Sequence, residues 1–319
     1  MSVLAAVRRQ RPLALAYLTT LVLFVAAVAI SPGFLHAPQL RQILVLATFI
    51  GIAGLGQTLV IISGGIDLSV PWALNGAAVL VTVLTGGRSA PAGWAIPLLL
   101  ALGALVGLVN GIGVAWLGVP PIVMTLGTFA ILQGALLVAT NGATGSSAPP
   151  VLKTLSTGRW LGLPPAVWLW LLLALLAGAV LSATVYGRRL YAVGTNPVVA
   201  ELSGVDVRRT VVVAYVVSGV GAVLAGLLLV GYVGNAYLGM GDPYLFSAVA
   251  AVAIGGASIL GGSGHYAGTV AGALSLTLIS VVLPVLGLRP AVLQIIYGVV
   301  ILVAVAVTSV RPGDSAADA

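Results

Sequence analysis

The sequence predicts an all-α, polytopic membrane protein with about ten transmembrane helices, and three observations predict it. The chain is 60% hydrophobic and only 6% charged, whereas a soluble domain carries roughly 25% charged residues. Its mean hydropathy is +1.20. Apolar runs long enough to cross a bilayer, which takes roughly 20 residues each, recur along the whole chain. These runs do not alternate polar and apolar positions, which excludes a β-barrel.

Polar, proline and glycine clusters divide the apolar sequence into segments at 12–30, 42–62, 68–86, 94–117, 121–140, 164–186, 210–233, 244–262, 266–286 and 290–309. The first follows Arg8, Arg9 and Arg11 without a small-residue cleavage site and reads as an uncleaved helix. SGGIDLSVP (63–71) forms the turn between the second and third. There Gly64 and Gly65 permit the turn, and Asp67 or Ser69 is expected to cap the next helix at the positive end of its dipole. The fourth and ninth segments carry glycines at four-residue spacing, Gly103, Gly107, Gly111 and Gly264, Gly268, Gly272, a spacing that lets membrane helices approach closely. The eighth ends in GGASILGGSG and reads either as a span or as a re-entrant loop sheltered by other helices.

Charge placement orients the chain. With the N-terminus inside, Arg8, Arg9, Arg11, Arg188, Arg189, Arg208, Arg209 and Arg311 face the cytoplasm, while Arg41, Arg88, Lys153, Arg159 and Arg289 face out. Ten spans then bring the C-terminus inside as well. Residues 1–310 form one transmembrane domain and 311–319 a short cytoplasmic tail. The loop 141–163 lies outside and the more polar loop 187–209 inside. LGVPPIV (117–123) resembles LGLRPAV (286–292), and Gly65-Ile66-Asp67 loosely resembles Gly241-Asp242. Both pairings relate a segment to one of opposite direction, which suggests an inverted repeat.

Composition excludes several functions. The formal charge of +7 is spread over helix ends rather than gathered on one face, so no nucleic-acid surface is expected. Without cysteine there is no disulfide or thiolate chemistry. The single lysine, Lys153, lacks a preceding glycine-rich loop, so this chain holds no P-loop for ATP. His36 and His265 are far apart with no acid beside them, and no Ser/His/Asp set appears, so neither a metal site nor an enzyme is expected. Only Asp67 and Asp242 could lie near membrane depth, too few for a proton or sodium relay. Gln57, Asn75, Asn110, Thr125 and Ser247 are candidates to line a path for a neutral, hydroxylated solute, because amides and hydroxyls exchange hydrogen bonds without burying charge. For each of them the alternative role is helix–helix glue.

SGGIDLSV (63–70) closely resembles the GGIDLSVG signature of permease subunits of ribose/xylose/galactose-type ABC importers. YAVGTNPVVAELSGVDVRR (191–209) and AVAAVAIGGASILGGSGHYAGTVAGAL (248–274) resemble that family's cytoplasmic segment and its later glycine-rich stretch, in the family's order. The resemblance implies a subunit of the bacterial cytoplasmic membrane that carries a monosaccharide delivered by an external or periplasmic sugar-binding protein. It implies a second permease, identical or related, and two cytoplasmic ATPase subunits that use ATP and magnesium, with no cofactor on this chain. It places ATPase coupling on Gly194, Asn196, Val198, Val199, Ala200, Glu201, Leu202, Ser203 and Gly204, where Asn196-Pro197 starts a short helix and the apolar residues fill a groove. The chain departs from the family at Pro71, where glycine is usual, and at 244–247, where acids are common. Nucleosides, a signalling furanose or branched-chain amino acids are alternative solutes in the same class. An ion-coupled secondary transporter is the alternative outside it.

Overall fold

Proline and glycine punctuate this fold. The computed structural model describes residues 3–143 and 147–309, all of whose regular elements are helical. The tail expected at 311–319 lies outside the described residues. The helices are α1 (Val3–Ile30), α2 (Ala37–Ile62), α3 (Val70–Thr85), α4 (Ala92–Ala115), α5 (Pro121–Thr140), α6 (Pro150–Thr157), α7 (Pro165–Ala183), α8 (Val185–Thr195), α9 (Pro197–Leu202), α10 (Val207–Val233), α11 (Tyr244–Ile254), α12 (Tyr266–Val285) and α13 (Pro290–Ser309). Helices α2, α3, α5, α6, α7 and α9 each carry proline in their first two positions, where its missing N–H leaves no intrahelical bond unmade. Among the described residues seven helices are long and apolar enough to span a membrane, and three shorter apolar ones, Val70–Thr85, Tyr244–Ile254 and Ala291–Ala306, bring the number of expected segments to ten.

Two of the segments are shorter than the sequence suggests. The third begins at Val70 and the eighth ends at Ile254, not at 262. Beyond Ile254 the chain turns at Gly256, whose φ of +80° suits only glycine, and continues without helix to His265. GGASILGGSG is therefore a loop, not the end of a span. Two other loops hold structure of their own: α6 lies within 141–163, and α8 and α9 lie within 187–209.

The inverted repeat is visible in which helices touch. In each half a long helix (α2, α10) is followed by a loop, a short helix (α3, α11) and two further helices (α4 and α5, α12 and α13). The α10–α4 contact is matched by α2–α12, α3–α10 by α11–α2, and α3–α5 by α11–α13. Helices α2 and α10 run antiparallel, since Gly56 lies against Ser218 and Gly221 against the Ile52 carbonyl. The two halves therefore run in opposite directions, and the matching LG motifs lead into Pro121 and Pro290 at the starts of α5 and α13.

Helices α2 and α10 form the centre, with 94% and 72% of their apolar windows buried, against 11% for α1 and 17% for α5. The first glycine ladder makes that centre dense. A Cβ at Gly103 would stand 2.6 Å from the Gly219 carbonyl, one at Gly111 would stand 2.7 Å from the Val212 Cα, and one at Gly107 would collide with the Tyr215 carbonyl. The second ladder is partial: Gly268 and Gly272 face the backbone of Gly255 and Ala251, whereas Gly264 precedes α12. Membrane helices gain stability from such backbone contact. Gly107→Leu is therefore expected to cost about 3 kcal/mol or more and to abolish the monodisperse peak in size-exclusion chromatography in detergent. Gly127→Leu, made where the structure has open space, should leave that peak intact.

Candidate functional site

The loop 63–69 does not run along a surface. It dips into the bundle, where Asp67 is only 3% exposed. Asp67 Oδ1 accepts from the Ser69 N–H at 3.0 Å and from the Ser69 hydroxyl at 2.5 Å, and Oδ2 accepts from the Ser218 hydroxyl at 2.7 Å. Ser218 is near the middle of the 27-residue α10. Ser69 Oγ accepts from Asn110 Nδ2 at 2.9 Å, and Asn110 Oδ1 accepts from the Thr128 hydroxyl at 2.6 Å. Each donor in the series Thr128, Asn110, Ser69 points toward the carboxylate. The loop backbone is closed by two further groups. Thr125 Oγ1 donates to the Ile66 carbonyl at 3.2 Å. The Gln57 amide, in the orientation that satisfies both its ends, donates to the Asp67 carbonyl at 3.1 Å and accepts from the Asp67 N–H at 3.3 Å.

This geometry corrects the expected capping role. Ser69 stands at the N-cap position of α3 but its side chain caps no first-turn N–H. Asp67 instead holds the N–H two residues ahead, which is an Asx turn, and links the loop to α10. Gly64 turns at φ +90°. Gly65 lies where a Cβ would stand 2.5 Å from the Tyr215 hydroxyl, a buried group with no hydrogen-bond partner among the described residues.

A second loop, 234–243, follows α10 as 63–69 follows α2. The Asn75 amide on α3 closes its backbone, donating to the Tyr237 carbonyl at 3.1 Å and accepting from the Gly239 N–H at 3.3 Å. Gly241 packs on the Pro71 carbonyl, so the two loops meet at the start of α3. Of the residues expected to line a solute path, Gln57, Asn75, Asn110 and Thr125 are thus occupied in holding the broken helices. Ser247, buried on α11, takes no part in these bonds. Ser218 and Tyr215, which meet this loop at Asp67 and Gly65, are not expected there from the sequence alone. Both are polar residues in an apolar run, which was the available signal.

The other end of the bundle carries a backbone junction. Gly262 N–H donates to the Ile62 carbonyl at 2.9 Å, and the Tyr191 hydroxyl on α8 donates to the Gly264 carbonyl at 2.7 Å. Gly194, in the last turn of α8, lies against both Ile62 and Gly262, where a Cβ would collide with the Ile62 carbonyl. Helix α9 follows directly. Asn196 caps it, accepting from the Val199 N–H at 3.1 Å, and Ser203 and Gly204 close it, with Gly204 at φ +80°. Ala200 is buried, Glu201 is exposed, and Val198, Val199 and Leu202 are 65%, 57% and 84% exposed.

A family model described as the branched-chain amino acid transport system permease component matches residues 39–305. The chain is 37% identical over 269 residues to the autoinducer 2 import system permease protein LsrC of Enterobacter sp. (strain 638), covering 84% of this chain and 78% of that one. It is 36% identical over 293 residues to the ribose import permease protein RbsC of Escherichia coli (strain K12), covering 90% of each. It is 31% identical over 313 residues to the galactose/methyl galactoside import permease protein MglC of Haemophilus influenzae, covering 92% and 93%. No solved structure matches the chain.

The hydrogen-bond geometry separates shape from charge at position 67. In Asp67→Asn, Oδ1 can keep both Ser69 donors while the Ser218 hydroxyl rotates to accept from the new amide. In Asp67→Leu three buried donors lose their acceptor, each at about 1–3 kcal/mol. Thermal unfolding in detergent should therefore leave the Asn variant near wild type and lower the Leu variant by about 5 °C or more. An Asn variant as damaged as Leu would show that the charge itself is required.

Proposed function

The chain belongs to the family of branched-chain amino acid transport system permease components, and from that premise we propose that it is the membrane-spanning subunit of an ATP-driven importer for a monosaccharide. It is a multi-pass protein of the bacterial inner membrane. The solute class rests on relatives named for ribose and for galactose or methyl galactoside import. The relative named for autoinducer 2 import favours a second reading within the same class, a small signalling solute. ATP hydrolysis belongs to separate cytoplasmic subunits, delivery to an external sugar-binding protein, and the path is shared with a second permease, identical or related.

The observation that carries this reading is the exposed apolar surface of α9. Val198, Val199 and Leu202 project from the most polar loop of the protein, and contiguous apolar surface of this kind marks a protein contact. Its position gives it a purpose. Helix α8, which α9 continues, is pinned to the end of α2 at Ile62, where the loop 63–69 begins, and to the loop after α11 at Gly262–Gly264. An ATPase that seizes α9 and closes would displace α8 as a rigid body and drag both loops with it. Nucleotide energy would reach the centre of the membrane by contact.

Two sets of substitutions separate docking from transmission. Changing Val198, Val199 and Leu202 to Asp should abolish co-purification of the ATPase while membrane insertion persists. Gly194→Ala should leave the ATPase bound but reduce uptake in proteoliposomes by about tenfold or more, because a packed backbone contact must shift and such overpacking costs about 1–3 kcal/mol. Uptake of a panel containing ribose, galactose and autoinducer 2, with ATP inside the vesicles, names the solute. Uptake that collapses with a proton uncoupler while ATP is held constant would overturn the ATP-driven reading.

A further inference from the structure

We propose that the hairpin joining α6 to α7 is a lipid anchor, with Arg41 and Arg159 holding the phosphate of an anionic phospholipid headgroup beside it. The hairpin is tight. Trp160 N–H donates to the Leu163 carbonyl at 2.8 Å and Leu163 N–H to the Trp160 carbonyl at 3.1 Å. The two residues between them, Leu161 and Gly162, have φ of +51° and +84°, the signs of a type I′ turn. Leucine is an unfavoured residue for that conformation, and here it stands at the tip, 78% exposed, beside a Trp160 that is 62% exposed. A strained backbone that presents two large apolar side chains outward marks a functional contact.

Three observations say what that contact is. First, Trp168 Nε1 in the first turn of α7 donates to the Trp160 carbonyl at 2.9 Å, which sets the hairpin at the head of α7. Below it the outward residues Leu171, Leu172, Leu175 and Leu176 are all exposed and apolar, so the hairpin continues a lipid-facing stripe. Second, it lies level with the start of a helix long and apolar enough to span a membrane. The hairpin and the end of α6 share a crevice of about 210 Å³ with the first two turns of α2, lined among others by Arg41, Gln42, Ser156, Thr157, Arg159 and Tyr232. Arg41 stands four residues below the start of α2, about 6 Å at 1.5 Å per residue. Tryptophan concentrates at that level, where one end of its ring is apolar and the other wet. Third, the crevice is cationic. Arg41 donates Nε only to the Ala37 carbonyl, and among the described residues no carboxylate pairs with either arginine. Two arginines lining one crevice call for an anion, and bidentate arginine matches a phosphate.

The lipid contact does not depend on the transport reading. The protein is purified, stripped with detergent and returned to phosphatidylcholine vesicles with or without phosphatidylglycerol, and retained lipid is counted by native mass spectrometry. Wild type should retain phosphatidylglycerol. Arg41→Gln and Arg159→Gln should each lower retention about fivefold, and Arg88→Gln, on an exposed arginine outside the crevice, should not. Brominated lipid should quench a tryptophan signal that Trp160→Phe removes. Retention unchanged in both crevice variants, or Trp160 quenched by aqueous acrylamide and not by brominated lipid, would overturn the proposal. Displacement of phosphatidylglycerol from wild type by millimolar inorganic phosphate would reassign the crevice to a free anion, and that measurement stands even where a variant misfolds.

Discussion

A bilayer interior has no water to complete a broken helix, so every interruption at membrane depth must be closed by the protein itself. The structure is arranged around two such interruptions. The loop before α3 exposes the Ile66 carbonyl and both backbone groups of Asp67, and these are met by Thr125 and Gln57. The loop before α11 exposes the Tyr237 carbonyl and the Gly239 N–H, and both are met by Asn75. In each case one amide side chain supplies a donor and an acceptor together, which is what a short stretch of unpaired backbone requires. Gln57, Asn75 and Thr125, polar residues in apolar segments, are thus accounted for by the breaks they close.

The breaks also explain the glycines. A side chain between α4 and α10 would push apart the helices that bring Asn110 and Ser218 to the same carboxylate. Close backbone packing lets α2, α4 and α10 act as one body, with α3 and α11 as half-length elements inserted between them. A membrane protein built from α2 and α10 at the centre leaves α1, α5 and α7 with largely open faces. Those faces are free for lipid and, in the proposed importer, for a second permease.

Much of this was legible in the sequence, and what was not has a common cause. Composition and run length are local, and they placed ten apolar segments where ten apolar helices occur. Proline at helix starts, and the Asn196-Pro197 and Gly204 bounds of α9, are likewise local chemistry. The local pattern of Asp67, with Gly65 and Ser69 two residues to either side, is that of a helix cap at a turn. What buries it is Ser218, 151 residues away, and Asn110 acting through Ser69. The eighth segment was drawn too long for the same reason. Nothing within 244–262 stops a helix at Ile254 except glycine, and glycine also sits inside α4 and α10. The stop is enforced by the packing of Gly255 on Gly268 and by the Gly262 bond to Ile62, neither of which a local pattern contains.

The distance between the α8 junction and the buried carboxylate is short along the chain. Ile62, whose carbonyl Gly262 holds and Gly194 abuts, is five residues before Asp67. Gly261 also lies against both Gly194 and Gly64, so α8 touches the loop before α3 and the loop after α11 within one cluster of backbone atoms. Flexible side chains can absorb a small displacement by changing rotamer; packed backbone cannot, and protein interiors transmit such strain. A shift of α8 must therefore move 62–64 and 261–264 together. On the first loop that motion arrives at a carboxylate tied to the middle of α10, and through Asn110 and Thr128 to α4 and α5. The hydrogen bonds around Asp67 are thus both what closes the broken helix and what a pull from α8 must either carry along or break.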